Sequence, residues 1–326
     1  MTKMTIFITK DTYPKLENFR EAAERVKEVA VRTPLVSLRY YDENPEILLK
    51  PEILQPIGSY KIRGVYNWAT MLPPDKRAKG ISTISSGNMA QGVGYVGKLL
   101  NIPAKVATYH DAPKNKIESI KKYGAEIVYI PRDGVWDYYY SLPEDHCFLH
   151  GLAEYYLVEG HGTIGLEIME DAPDTETIFV PVGAGLLATG VSLAAKAVKP
   201  SVKIIGVQTE RNPLYYESIR QGKAVSLEHK PSLADGISGN VVTEESVQMV
   251  RDNLDDIVLV SEKQIADAVR YLALENKMVV EGAGAASLAA ALQVPKEERG
   301  KTVCIVSGGS IDPEKFYKII ANQYIL

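Results

Sequence analysis

The run Thr177-Ile178-Phe179-Val180-Pro181-Val182-Gly183-Ala184-Gly185-Leu186 decides how the chain folds. Its first half is apolar nearly throughout, as a strand covered on both faces must be. Its second half is a glycine turn, and residues 187–198 beyond it read as a helix. Strand, tight turn and helix make up half of a parallel crossover unit. The same design recurs where residues 81–85 precede Ser86-Gly87-Asn88-Met89-Ala90-Gln91-Gly92, and where residues 303–307 precede Gly308-Gly309-Ser310.

The rest of the chain alternates in the same way. Strands are expected at 47–50, 81–85, 105–109, 126–130, 177–182, 203–208, 256–261 and 302–307. Helices are expected at 114–123, 187–198, 262–275 and 313–320, and Leu16, Phe19, Ala23, Val26 and Ala30 mark one face of an opening helix. This pattern predicts an α/β protein with mostly parallel sheets. Irregular connections are expected at 141–145 and 228–240. No fixed-period repeat, low-complexity tract or clean linker divides the chain, so two lobes built from interleaved segments fit as well as two sequential domains.

Composition narrows the function. The 326 residues hold 37 Lys+Arg against 41 Asp+Glu, a net charge of −4, and 45% are hydrophobic. A mildly acidic chain lacks the positive field that phosphate-backbone binding needs, so nucleic acid is not an expected partner. Cys147 and Cys304 are the two cysteines, too few for a disulfide framework or a thiolate metal site. Lys3, Lys10 and Asp11 interrupt the N-terminus, and no apolar stretch is long enough to span a bilayer. A cytoplasmic protein is expected, with no membrane partner.

Glycine turns after parallel strands place ligands against free N–H groups at helix starts, which favours anions. Nucleotide motifs nevertheless fail on spacing or partner. Gly183-Ala184-Gly185 is followed by Ala188 and lacks an acidic residue near position 203; Gly190 is followed by Val191; Gly282-Ala283-Gly284 is followed by Ser287. His146 and His150 have no third ligand nearby, so no metal is expected. Tyr138-Tyr139-Tyr140 reads as packing or interface.

Gly58-Ser59-Tyr60-Lys61-Ile62-Arg63-Gly64 puts Lys61 near a helix start, against the positive end of the dipole. Such a position suits a lysine whose amine must attack a carbonyl.

Together these stretches resemble one family. The Lys61 motif, Ser85-Ser86-Gly87-Asn88-Met89-Ala90-Gln91-Gly92, Pro181-Val182-Gly183-Ala184-Gly185 and Ser307-Gly308-Gly309 occur in the order and spacing of fold-type-II pyridoxal-phosphate enzymes. Within that family they are similar to the threonine/serine dehydratase and serine racemase branch. The resemblance runs from Thr33-Pro34-Leu35 through 160–168 and Leu233-Ala234-Asp235-Gly236 to the final helix. Ile62 follows the lysine where synthases usually carry Asp, and Ala234-Asp235-Gly236-Ile237 is similar to dehydratases.

The resemblance implies a tryptophan synthase β-like fold with two lobes. Residues 1–68 and 155–326 would form the large cofactor-binding domain, and 69–154 a small, mobile domain that closes on the substrate. It implies pyridoxal 5'-phosphate as cofactor, held through a Schiff base by Lys61, which also moves the α-proton. Gly183, Ala184, Gly185 and Leu186 match the phosphate cradle, Ser307 the partner of the pyridine nitrogen, and Glu281 an acidic residue beside the ring. Ser86, Gly87, Asn88 and Met89 match the loop receiving the substrate carboxylate, with Asn88 also at the phenolic oxygen. The implied activity is dehydration and deamination of L-threonine or L-serine, with racemase and threonine synthase-like replacement as alternatives. A homodimer or higher oligomer is implied as well.

Departures from the family pattern shape the expectations. Met89 replaces a usual His, and Leu186 stands where a fourth glycine is common. Gln208 and Leu214 occupy positions where a racemase-type cation site has acidic ligands, so that site is expected to be absent. Ser86 matches the opposite-face acid of racemases, yet capping the helix near Met89 is the commoner role for such a serine. The chain ends one helix after Ser307, so no regulatory C-terminal domain is expected.

Overall fold

A computed structural model describes residues 8–40, 46–110, 112, 114–143, 147–152, 154–239 and 242–324. Lys3 and His146 lie outside these residues. The strands are β1 (Val36–Ser37), β2 (Ile47–Pro51), β3 (Ile81–Ile84), β4 (Ala104–Tyr109), β5 (Glu126–Ile130), β6 (Cys147–Phe148), β7 (Thr177–Pro181), β8 (Lys203–Thr209), β9 (Asp256–Val260) and β10 (Thr302–Val306). They form a six-stranded sheet in the order β1-β2-β10-β7-β8-β9 and a four-stranded sheet in the order β5-β4-β3-β6. Every pairing is parallel except β1 with β2. All eight expected strands are present; β1 and β6, two residues each, carry too little pattern to be read from sequence.

The two sheets come from interleaved chain. The four-stranded sheet is drawn from residues 81–148, and the larger one from residues on either side of it. In the larger sheet β2, β7 and β10 are buried along their whole length, as helices on both faces require. In the smaller one β5 is an edge strand with exposed Glu126 and Tyr129.

The opening helix is shorter than its apolar spacing implies. It covers Leu16–Val26, and Ala30 is reached through a turn in which its N–H donates to Val26 O at 2.8 Å. The chain leaves the helix here to bring Thr33 against Glu52, where Thr33 Oγ1 donates to Glu52 Oε1 at 2.8 Å.

A buried ionic network anchors the helix that begins at Lys61. Arg63 is fully buried and donates to Glu52 Oε2 at 2.7 Å, to Glu167 Oε1 at 2.7 Å and to Thr163 Oγ1 at 3.1 Å. Lys50, buried in β2, donates to Glu167 Oε2 at 2.6 Å. Burial alone would raise the Glu167 carboxyl, but Arg63 and Lys50 hold it below the ordinary carboxylate value. The helix Lys61–Met71 is thus tied from below to β2 and to the long helix Tyr155–Asp171.

Candidate active site

Five segments meet beyond the carboxyl ends of the strands, where open parallel sheets place their ligands. The lysine loop is zipped onto the turn after β10. Tyr60 N–H donates to Ser307 O at 3.1 Å, Gly309 N–H donates to Gly58 O at 2.9 Å, and Ser59 bridges Gly308. The helix Lys61–Met71 starts at the lysine itself, as its sequence position predicted. The Lys61 ammonium lies 4.6 Å from the centroid of the Tyr60 ring, within cation–π range.

A third segment closes onto the same turn. Glu281 is the N-cap residue of the helix Gly282–Ala291, and its N–H donates to Gly308 O at 3.1 Å. Gly308 leaves room for this contact: a Cβ there would displace Glu281 Oε1 and lie 3.0 Å from Asn88 Nδ2. Asn88 Nδ2 in turn donates to Glu281 Oε1 at 2.7 Å, linking the two sheets. Burial and the nearby Asp235 push the Glu281 carboxyl up to about 7, against the opposing pull of Lys116, Asn88 and Lys61.

The glycine turn after β7 leaves unpaired N–H groups at a helix start. Gly185 has φ +83°, a left-handed conformation, and a Cβ on it would strike Val250. The helix Leu186–Val198 starts immediately afterwards, so its first-turn N–H groups have no partner within the helix. Leu186 does not have a positive φ, so its N–H is available as a glycine's would be. Tyr215 donates its hydroxyl to Ala184 O at 3.0 Å and steadies the turn. A Cβ on Gly183 would lie 3.2 Å from Gly236 O, and one on Gly236 would lie 3.9 Å from Glu281 Oε1. The cradle therefore adjoins the Glu281 wall.

The Ser86 loop is arranged differently from one expectation. The helix Asn88–Leu100 has Gly87 at its N-cap and no side-chain capping bond. Ser86 Oγ is instead 2.7 Å from Thr108 Oγ1, and Gly87 N–H is satisfied by Ser85 Oγ at 3.2 Å. Ser86 does not cap, because the neighbouring strand offers its hydroxyl a fixed partner. Met89 is buried and joins the apolar core, leaving the loop's polar contacts to Asn88 and the first-turn N–H groups.

His161 is the residue that sequence reasoning missed. It is fully buried in the helix Tyr155–Asp171, with its ring edge-on to Tyr60 at 4.8 Å between centroids. Neither ring nitrogen has a hydrogen-bond partner among the described residues. Burial, then Lys61 and Arg63, hold its protonation well below the ordinary range, so it is a neutral imidazole behind the lysine. Its only sequence signal is a histidine in a run otherwise dominated by glycine and apolar residues.

Gln208 bonds within the protein. Gln208 Nε2 donates to Val182 O at 3.3 Å, and its Oε1 accepts from Tyr216 N–H at 2.9 Å. Among the described residues no helix is long and apolar enough to cross a membrane.

Comparison with known proteins agrees with this arrangement. The chain is 39% identical over 313 residues to the L-threonine ammonia-lyase of Thermotoga maritima, covering 94% of this chain and 78% of that protein. The structure superposes on the T.th. threonine deaminase with a TM-score of 0.85 and 32% identity, covering 92% of this chain and 99% of that one. Maize serine racemase gives a TM-score of 0.85 and 31% identity, over 94% and 97% of the two chains. Residues 26–309 match the family described as pyridoxal-phosphate dependent enzyme, and with its lysine, glycine cradle and two parallel sheets in place the chain belongs to that family.

Proposed function

We propose that this chain is an ammonia-lyase that converts L-threonine and L-serine to 2-oxobutanoate or pyruvate with release of ammonia. The observation that carries the reading is the zipping of the 58–60 loop, which leads into Lys61, onto the 307–309 turn. Threonine ammonia-lyase and threonine deaminase among the similar proteins support the same substrate class.

The residues fit pyridoxal phosphate. The Leu186 helix start would offer N–H groups to its phosphate, Lys61 an amine to its aldehyde carbon, Ser307 a hydroxyl to its ring nitrogen and Asn88 an amide to its phenolic oxygen. When bound, the cofactor supplies the electron sink for α-carbon chemistry. The protein does the rest. First-turn N–H groups of the Asn88–Leu100 helix hold the substrate carboxylate and so orient the α-C–H. Lys61 Nζ takes that proton. Ser307, an uncharged hydroxyl, does not favour a protonated ring, which suits loss of the β-hydroxyl over a long-lived carbanion. Residues 1–68 and 155–326 form the cofactor-binding domain in this reading, and 69–154 the closing domain that excludes water.

A racemase is the second reading. It is favoured by Ser86, whose hydroxyl is held by Thr108 and is free of capping duty. We further infer a cytoplasmic homodimer or higher oligomer; Val31, Leu54 and Val279 leave apolar side chains exposed, as a subunit contact needs.

The test is turnover. The protein reconstituted with pyridoxal phosphate is given L-threonine and L-serine separately, and 2-oxo acid and ammonia are followed. Catalytic production that is lost in Lys61→Ala supports the lyase. A shift in cofactor absorbance without oxo acid overturns it, in favour of the racemase if D-serine accumulates or of a replacement enzyme if it does not.

A further inference from the structure

We infer that Lys116 is a positioning residue for the reaction: its ion pair with Asp235 clamps the sheet that carries the substrate-carboxylate loop onto the sheet that carries Glu281. This rests on the proposed function for its kinetic consequence, though not for its structure.

Lys116 Nζ lies 2.6 Å from Asp235 Oδ2, across 119 positions of sequence. Lys116 belongs to the helix Lys114–Lys122, which connects β4 to β5 in the four-stranded sheet. Its neighbour Ile120 is fully buried in the same apolar cluster as Ala90 and Val93 of the Asn88–Leu100 helix. A force on Lys116 therefore reaches the helix whose first turn carries Asn88.

Asp235 is held just as firmly on the other side. It opens the turn Asp235–Ile237, and Leu233 N–H donates to Glu262 Oε2 at 2.7 Å while Ser238 Oγ donates to Ala234 O at 2.8 Å. Ala234 and Ile237 are buried with Ala283 of the Gly282–Ala291 helix. The ion pair thus joins elements of the two sheets that also meet through Asn88 and Glu281.

The charged groups facing this point are Lys116 from the small sheet's helix, Asp235 from its turn, Glu281 from the helix N-cap and Lys61 from its own helix start. Lys116 Nζ and Asp235 Oδ2 are paired with each other, so the role assigned to them is positioning. Their effect is on the fraction of molecules with the loop in place, and apparent affinity scales with that fraction. The pair is partly exposed, at 17% and 43% for the two side chains, so salt weakens it.

The test compares wild type, Lys116→Met, Asp235→Asn, Lys116→Glu and the exchanged pair Lys116→Glu with Asp235→Lys. KM for L-threonine is expected to rise roughly two- to fivefold in the neutral variants and further in Lys116→Glu, with kcat changed less. The exchanged pair is expected to recover most of the loss. Added salt is expected to raise KM in wild type and to leave Lys116→Met flat. Amide hydrogen exchange of the Asn88–Leu100 helix in the cofactor-free protein is expected to quicken in Lys116→Met. Unchanged exchange in Lys116→Met, or no recovery in the exchanged pair, overturns the clamp. Absent turnover in wild type sinks the proposed function, while exchange still decides whether the clamp exists.

Discussion

Asn88 Nδ2 donates to Glu281 Oε1 at 2.7 Å, and this single contact joins the first turn of a helix in one sheet's lobe to the helix N-cap in the other's. It also fixes a carboxyl in a buried place, where burial and Asp235 raise its titration to about 7 from an ordinary 4.5. A carboxyl raised in the folded state gives its full contribution to stability below about pH 4.5 and loses it as pH climbs through about 7.

Glu281→Gln keeps an oxygen for Asn88 and removes that loss. The cofactor-free variant is expected to match wild type near pH 4.5 and to exceed it at pH 8, by on the order of 3 kcal/mol. Urea unfolding at the two pH values measures this. A variant less stable than wild type at pH 8 contradicts the assignment.

His161 acts in the opposite direction. Its folded-state protonation is depressed, so its contribution is present above the ordinary histidine value of 6.5 and disappears as pH falls below it. His161→Gln is expected to flatten the acid side of the stability profile. Thermal unfolding followed from pH 7 down to pH 5 checks it, and an unchanged acid slope counts against a neutral buried imidazole.

Arg63 holds two buried carboxylates, and removing it takes the guanidinium from Glu52 and leaves Glu167 with Lys50 alone. Arg63→Met is expected to cost about 3–5 kcal/mol, more than a surface ion pair can account for. Arg63→Lys is expected to recover only part, because one ammonium cannot reproduce the planar fork that meets Glu52 and Glu167 together. Denaturant midpoints of both variants decide this.

Ser86→Ala removes a hydroxyl bonded to Thr108, at a stability cost of about 1 kcal/mol. Threonine elimination is expected to stay within a fewfold of wild type, since Lys61 moves the proton in that reaction. Any D-serine formation is expected to vanish. Chiral analysis of serine after incubation measures it; loss of 2-oxobutanoate production instead would give Ser86 a part in the elimination.

Much of this arrangement could be read locally. The central strands β7 and β10 of the larger sheet are buried along their whole length, so they announce themselves as apolar runs, and a glycine turn follows each of them. Lys61 was legible for the same reason, because the residues that start its helix are its own neighbours. Ser86 was not: its side chain chose a partner 22 positions away on β4 over the helix start beside it.

Local pattern and motif order determined the α/β class, the eight longer strands, the lysine, the cradle and the family. Such features depend on side chains within one element. Folding alone decided which elements meet: the Lys61 loop with Ser307, Asn88 with Glu281, Lys116 with Asp235, and His161 behind Tyr60. Each of those pairs lies far apart in the chain and leaves no periodicity in it. Their energies come from burial and charge brought together by packing, so they exist only in the folded chain, and the Asn88–Glu281 and Lys116–Asp235 pairs also need the two sheets to meet.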